Sequence, residues 1–494
     1  MSLKSIAAKI FAKFVVNRMN KWVNNPIETQ EKVFRTLIAT AAETSFGKDH
    51  GFHEIKSTAD FAARVPIRDY EALKPYVERV VAGDEDVLWP GKPLYFAKTS
   101  GTTSGAKYIP LTKESMPTHT RAARNAILCY IHETGKANFV NGKMIFLQGS
   151  PEMTEKNGIN IGRLSGIVAH YVPAYLQRNR LPSWETNCIN DWETKVDAIV
   201  AETKDENMAL ISGIPSWVQM YFERLKAATQ KPVGELFKNF ELFIYGGVNY
   251  EPYRAKFEAL IGRKVPSIEL FPASEGFFAF QDSQKEKGML LQLDSGIFYE
   301  FIEASRFFDE NPKRLTLADV QTGVNYVLIV STSAGLWAYN VGDTVQFTSI
   351  NPYRVIVSGR IKHFISAFGE HVIGKEVEQA MQDAMEQHEF TISEFTVAPQ
   401  TETSAGELPY HEWLIEFETE PENLQQVAKT LDAAMQEQNS YYFDLIKGKV
   451  LQPLKIKALP KNSFQRYMKS QGKLGGQNKV PRLSNDRKIA DFFN

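Results

Sequence analysis

The chain has 494 residues, of which 43 % are hydrophobic and 23 % charged, with a formal net charge of −1. Such a composition fits a soluble globular protein, and the length exceeds one core at roughly 100–200 residues per domain. The balanced charge gives no overall field for nucleic acid or an anionic membrane; either would need a local patch, and no long basic run is present.

Residues 1 to about 90 read mainly as helices, with starts at Thr58-Ala59-Asp60-Phe61 and Asp69-Tyr70-Glu71. At the N-terminus, Ile6, Ile10, Phe11, Phe14, Val15 and Met19 recur at helical spacing among Lys4, Lys9, Lys13, Arg18 and Lys21. Lys9 and Lys13 interrupt any signal-peptide core, and the segment is too short and charged to span a bilayer. Two readings stay open: a helix packing its apolar stripe on its own protein, or a basic amphipathic helix lying on a membrane surface. Stable membrane insertion is not expected. Cys129 and Cys188 exclude a disulfide framework and read as reduced thiols of a cytoplasmic protein. Nine histidines show no zinc-binding pattern, and His50 and His53 read as structural or surface residues.

Apolar, β-branched runs then recur at Met144–Leu147, Met208–Ile211, Leu242–Tyr245, Ile268–Phe271, Met289–Leu293, Ile297–Ile302 and Tyr326–Val330. Helical stretches such as Trp192–Glu202 and Pro252–Leu260 lie between several of them. This alternation predicts an α/β fold with mixed, partly parallel sheets. The closer strands at Trp337–Thr348 and Tyr353–Val357 predict antiparallel pairing and a small barrel-like part. Beyond Arg360 the pattern is a smaller α+β unit, with helices at Glu376–Met385 and Leu424–Met435 and strands at Phe395–Ala398, Trp413–Phe417 and Val450–Ala458. The expected domains are 1–361 and 362–494, with a hinge near Lys362.

Five constellations carry chemistry. In Phe96–Thr112, Gly101 and Gly105 free the backbone N–H groups. Thr99, Ser100, Thr102, Thr103 and Ser104 add hydroxyl donors, and Lys107 adds one compact charge. That set suits a polyphosphate; a flexible Ser/Thr/Gly surface loop is the plain alternative. The segment departs from the common P-loop, because Ala106 stands where the second glycine belongs and Tyr108 replaces the metal-holding hydroxyl, so the metal ligand is expected elsewhere.

A second strand runs into Gly246-Gly247, which let a flat base approach the backbone; an ordinary βα turn is the alternative. In the third, Phe271 can stack on an aromatic base, and Ser274 and Glu275 follow in a turn; Glu275 is a hard oxygen ligand suited to Mg2+ on ATP phosphates. A core role for Phe271 and a solvated turn for Glu275 are the plain alternatives. In the fourth, Trp337–Asp343, Gly342 permits close approach and Asp343 offers paired acceptors for vicinal ribose hydroxyls; a Gly-Asp hairpin turn is the alternative. Arg360, in Ser358–Ile365, presents a fork for ribose or phosphate oxygens.

Taken in order, TSGTTSGAK, the aromatic-x-x-S-E turn, Y-x-x-G-D and G-R-x-K-x-F-I-x-x-x-G-E-x-V-x-x-x-E-V-E resemble the adenylate-forming superfamily. Within it the chain is similar to the GH3-type acyl-acid amido synthetases and their bacterial relatives. Lys107–Pro110 and the Gln477–Arg482 element support this closer likeness.

The resemblance implies ATP-dependent activation of a carboxylic acid as an acyl-adenylate, with pyrophosphate released. Transfer to an amine, expected to be an amino acid, then follows. It implies ATP and Mg2+ as cofactors, and Ser100–Ser104 with Lys107 as the phosphate loop. Phe271 would stack the adenine, Glu275 bind the metal, and Asp343 with Arg360 bind the ribose. Phe271 departs from the family's tyrosine. The superfamily's C-terminal P-R-T-x-S-G-K lysine motif is absent, and Lys479 is the candidate substitute. By analogy the acyl pocket is lined from Ser212–Trp217 and Tyr245–Val248, with Trp217 a wall or a core residue. Small-molecule acid and amine partners, no nucleic acid, and a monomer or weak dimer are expected. Transfer to coenzyme A or another thiol, and nucleotide binding without turnover, are the alternatives.

Overall fold

The computed structural model describes residues 2–100, 106–172, 177–247, 250–361, 364–365, 372–401, 403, 407–448, 450–474, 479–484 and 486–494. The chain divides into two compact units, Met1–Val248 with Leu260–Ile356, and Asn249–Ala259 with Val357–Asn494.

The first unit begins with helices Leu3–Val23, Pro26–Ala41, Thr58–Arg64 and Tyr70–Ala82. Their starts follow local chemistry. The Ser57 hydroxyl and Asp60 carboxylate cap each other's backbone N–H groups, and Asp69 accepts from Ala72 N. The strands are β1 (Tyr95–Ser100), β2 (Ala106–Leu111), β3 (Lys143–Phe146), β4 (Thr154–Lys156), β5 (Ile159–Gly162), β6 (Arg180–Leu181), β7 (Met208–Ser212), β8 (Leu242–Gly246), β9 (Ser267–Ala273), β10 (Gly276–Phe280), β11 (Met289–Leu291), β12 (Ile297–Glu303), β13 (Asn325–Thr332), β14 (Tyr339–Ile350) and β15 (Tyr353–Arg360).

Two sheets result. A small one runs β2-β1-β5-β4, and a large one runs β12-β13-β14-β15-β11-β10-β9-β8-β7-β3-β6. Strands β6, β3, β7, β8 and β9 are parallel. The helices Trp192–Thr203 and Pro215–Thr229 fall between these strands in sequence, as crossovers require. Burial of every residue from Met208 to Ile211 and from Leu242 to Tyr245 marks the middle of a covered parallel sheet.

The antiparallel strands β10–β15 curl into the barrel-like part. The Tyr299 hydroxyl on β12 reaches the carbonyls of Phe278 (3.4 Å) and Gln292 (3.1 Å). Inside, Phe301, Tyr326 and Phe347 meet edge to face at 5.2–6.0 Å. A buried ion pair sits here: Glu300 accepts two N–H bonds from Arg314, at 2.8 and 2.5 Å, and Arg314 also donates to the Val65 carbonyl.

The second unit holds β16 (Phe364–Ile365), β17 (Val372–Ile373), β18 (Thr391–Gln400), β19 (Tyr410–Thr419) and β20 (Lys455–Leu459). Strands β18 and β19 pair antiparallel, and β20 joins β19 in parallel. Helices Gly374–His388 and Leu424–Gln438 pack on this sheet around Val377, Met381, Trp413, Ile415, Leu431 and Met435. The strand expected from Val450 starts only at Lys455, because Pro453 can offer no ladder N–H.

Candidate active site

The proposed phosphate loop is the tip of the β1–β2 hairpin. Register Thr99↔Lys107 and Ser100↔Ala106 brings its two shoulders together. Gly101, Thr102, Thr103 and Ser104 lie outside the described residues, and so does Gly105. Lys107 is half-buried on β2, and its ammonium sits 5.5 Å from the centre of the Tyr70 ring. The Tyr70 hydroxyl accepts a hydrogen bond from Tyr108 N at 2.9 Å. One buried tyrosine, placed by the Asp69-capped helix, therefore fixes both the start of β2 and the lysine beside it. Sequence reading passed over Tyr70, since its only signal is a position one residue after a helix cap.

Adjacent parallel strands bring the next residues to one edge. Gly246 pairs with Leu270, so the end of β8 lies beside the end of β9. A side chain on Gly246 would meet the Leu270 carbonyl oxygen at 2.5 Å, and Gly247 has φ +86°, so both positions require glycine. Ser274 and Glu275 form the two-residue turn from β9 to β10, closed by Ala273↔Gly276. Ser274 is buried and Glu275 half-buried. Phe271 is only 7 % exposed and meets Phe278 edge-on at 5.1 Å, so its ring is also a packing element.

Asp343 does not stand in a hairpin turn. It belongs to a bulge in the middle of β14: Val327 pairs with Thr344 and Ile329 with Asn340, leaving Val341, Gly342 and Asp343 opposite Leu328 alone. Gly342 takes φ +88° and donates to the Asn340 side-chain oxygen at 2.9 Å. Ala338, just before β14, holds φ +43°, a costly value for a residue with a Cβ. Bonds from Ala338 N to the Ser331 hydroxyl (2.9 Å) and from Arg68 N to the Ala338 carbonyl (3.1 Å) hold it there. Trp337, fully buried, donates to the Leu88 carbonyl at 3.0 Å.

At the edge where β3 and β7 end, Lys195 is buried without a described carboxylate. Its ammonium donates to the carbonyls of Gln148 (3.0 Å) and Asn187 (2.6 Å), and burial pulls its pKa down to about 8. Nothing in its helical sequence context marks it. Trp217 is buried against Trp192 at 4.6 Å, which makes it a core residue as well as a neighbour of the Ser212 strand end.

The remaining candidates belong to the second unit. Arg360 is the exposed last residue of β15, Lys362 lies outside the described residues, and Lys479 is exposed. Three charged residues of the same motifs have structural partners. Glu376 accepts from Ile373 N (2.9 Å) and from the Asn439 amide (3.1 Å), and burial pushes it up to about 7. Arg482 is buried between Glu378 (3.1 Å) and Glu394, over the ring of Phe395. It thereby ties the C-terminal segment to β18, where Val397 N donates to its carbonyl.

The fold is that of adenylate-forming ligases. Over 94 % of this chain and 90 % of theirs it matches a 2-hydroxyisobutyryl-CoA ligase (TM-score 0.57, 14 % identity). A GH3.15 acyl acid amido synthetase in complex with 2,4-DB matches more fully: TM-score 0.79 and 17 % identity over 98 % of this chain and 95 % of that one. The GH3 family N-terminal domain matches residues 15–195, the central domain 290–360 and the C-terminal domain 375–488. The chain belongs to the GH3 family. Among curated relatives, it is 21 % identical to an indole-3-acetic acid-amido synthetase of Arabidopsis thaliana (92 % of this chain, 88 % of that one). It is 20 % identical to a jasmonoyl–L-amino acid synthetase of Oryza sativa subsp. japonica (95 % and 94 %).

Proposed function

We propose that the protein is an ATP-dependent acyl-acid amido synthetase. The acid's carboxylate attacks the α-phosphorus of ATP, pyrophosphate leaves, and an acyl-adenylate remains. An amine, which we take to be an amino acid, then attacks the acyl carbon and AMP departs. Membership of a family whose relatives bear amido-synthetase names carries this reading.

The residue roles are our assignment. The first step builds charge on phosphate oxygens, so it needs positioned donors more than acid–base groups. Lys107, held against Tyr70, would supply one such charge beside the hairpin tip. Gly246 and Gly247 would leave room for the adenine with Phe271 beside it, and Asp343, pushed out by its bulge, would accept from the ribose hydroxyls with Arg360. Lys479 would serve the carboxylate.

Glu275 is a single carboxylate, and among the described residues no three metal-ligating side chains come together. That donor set suits Mg2+, which binds through one or two carboxylates and takes its other ligands from water and substrate phosphates. When bound, the ion would neutralise phosphate charge. Two unpaired thiols support a reducing, cytoplasmic setting.

The test is pyrophosphate release across a panel of carboxylic acids, with and without amino acids, with products identified by mass. An amide product is expected. A thioester formed with coenzyme A would replace the amide step, and ATP binding with no acid-dependent pyrophosphate would overturn the reading.

A further inference from the structure

From Leu3 to Phe14 the helix Leu3–Val23 is apolar on its outward face as well as on its inward one, and among the described residues only the inward face is packed. Ala12, Val15, Met19 and Trp22 are buried. Leu3 is 86 % exposed, Ile6 42 %, Ile10 68 % and Phe14 62 %. At about 100° per residue these four fall within an arc of about 80°, roughly opposite the buried face. They are not scattered surface apolar residues but one continuous stripe, the kind of patch that marks an interaction site.

Charge identifies what covers it. The helix carries five cations, Lys4, Lys9, Lys13, Arg18 and Lys21, and no carboxylate, in a chain whose net charge is −1. On the same wheel Lys9 and Lys13 border one margin of the stripe and Arg18 the other, while Lys21, with Asn17, continues the stripe's own arc beyond Phe14 and Lys4 lies on the side of Trp22. Arg124, over the ring of Phe11 at 5.7 Å, adds a sixth cation next to it. A second copy laid on this stripe would set like charge against like charge. An apolar stripe between two cationic margins instead fits a lipid surface with anionic headgroups: the stripe enters the acyl boundary and the cations meet phosphates.

We propose that the outward face of Leu3–Phe14, with the cations around it, is a peripheral docking surface for anionic lipid bilayers. It holds the protein in the interface plane. No described helix is long and apolar enough to cross a membrane, so the contact is one-sided.

The full-length protein is sedimented with vesicles of phosphatidylcholine alone and of phosphatidylcholine mixed with phosphatidylglycerol. It should pellet with the mixed vesicles only, and less as salt rises. Ile10→Glu with Phe14→Glu should abolish binding; Lys9→Glu with Lys13→Glu should weaken it by about tenfold or more. The melting temperature should hold in both variants, because Ile10, Lys13 and Phe14 are exposed and Lys9 is only half-buried. Failure to bind either vesicle overturns the proposal, and so does equal binding to both vesicles. It is also overturned if Ile10→Glu with Phe14→Glu leaves vesicle binding intact and dissociates a dimer, which would give the stripe to a second copy.

Discussion

Glu275 and Asp343 reach the same unit's surface by different backbone devices. Glu275 sits in a two-residue turn and Asp343 in a three-residue bulge. Each device sets a carboxylate outside the regular strand ladder. If the assigned roles hold, the two carboxylates differ in what their loss does. Glu275→Gln should cut acid-dependent pyrophosphate release by about 10²–10³-fold in kcat, the scale of one lost electrostatic contact in a transition state. Asp343→Asn should instead raise the KM for ATP by about tenfold, the worth of a hydrogen bond to a charged group in binding. Steady-state kinetics on both variants checks this; an unchanged kcat for Glu275→Gln removes that residue from the site. Tyr70 shows what residue types cannot tell. It is a core tyrosine by composition, and it holds the lysine by position.

At the scale of elements, the sequence was most legible where periodicity and caps agree. Buried runs such as Met208–Ile211 and Leu242–Tyr245 became parallel strands, and Asp69 capped its helix. The β4–β5 hairpin was not read, although Asn157-Gly158, both at positive φ (52° and 79°), is a strong turn signal. Its strands, of three and four residues, are too short to show a period.

The helix Gly374–His388 supplies a pH test. Glu376, at its start, is desolvated, so its carboxyl holds a proton up to about 7 against an ordinary value of 4.5. A raised acid pKa makes the folded state bind the proton more tightly. Its contribution is therefore fully present below about pH 4.5 and is lost as pH rises through about 7. Glu376→Gln, which cannot ionise, should flatten the fall in melting temperature between pH 5 and 7. A pH profile unchanged by the substitution would remove this group as its source.

For the whole molecule, the two units have separate cores, one in the mixed sheet with its barrel-like part and one in the small α+β sheet. The first part of the helix Glu251–Ile261 belongs to the second unit although it lies far from it in sequence. Its Tyr253 hydroxyl sets the pattern, bonding Glu394 at 3.2 Å and Arg482 at 3.3 Å. We propose that the hinge near Lys362 lets one chain run two half-reactions of different geometry. Lys362→Pro should then keep acid-dependent pyrophosphate release and lose amide product. Equal loss of both activities, or of neither, would end the hinge assignment.

The sequence by itself determined the order of the motifs, the α/β class and the family likeness, because these rest on local residue types and spacings. Its departures from the common P-loop also led to the expectation that the metal ligand lies outside the Gly-rich loop. Only tertiary structure decided that Asp343 stands in a bulge rather than a hairpin turn, since a bulge exists only against the partner strand Asn325–Thr332. Only it revealed Tyr70 under Lys107 and the structural duties of Glu376 and Arg482. And only it separated the two apolar faces of Leu3–Val23. Helical spacing marks a residue as apolar and periodic, but which face is buried depends on what packs against it from distant parts of the chain.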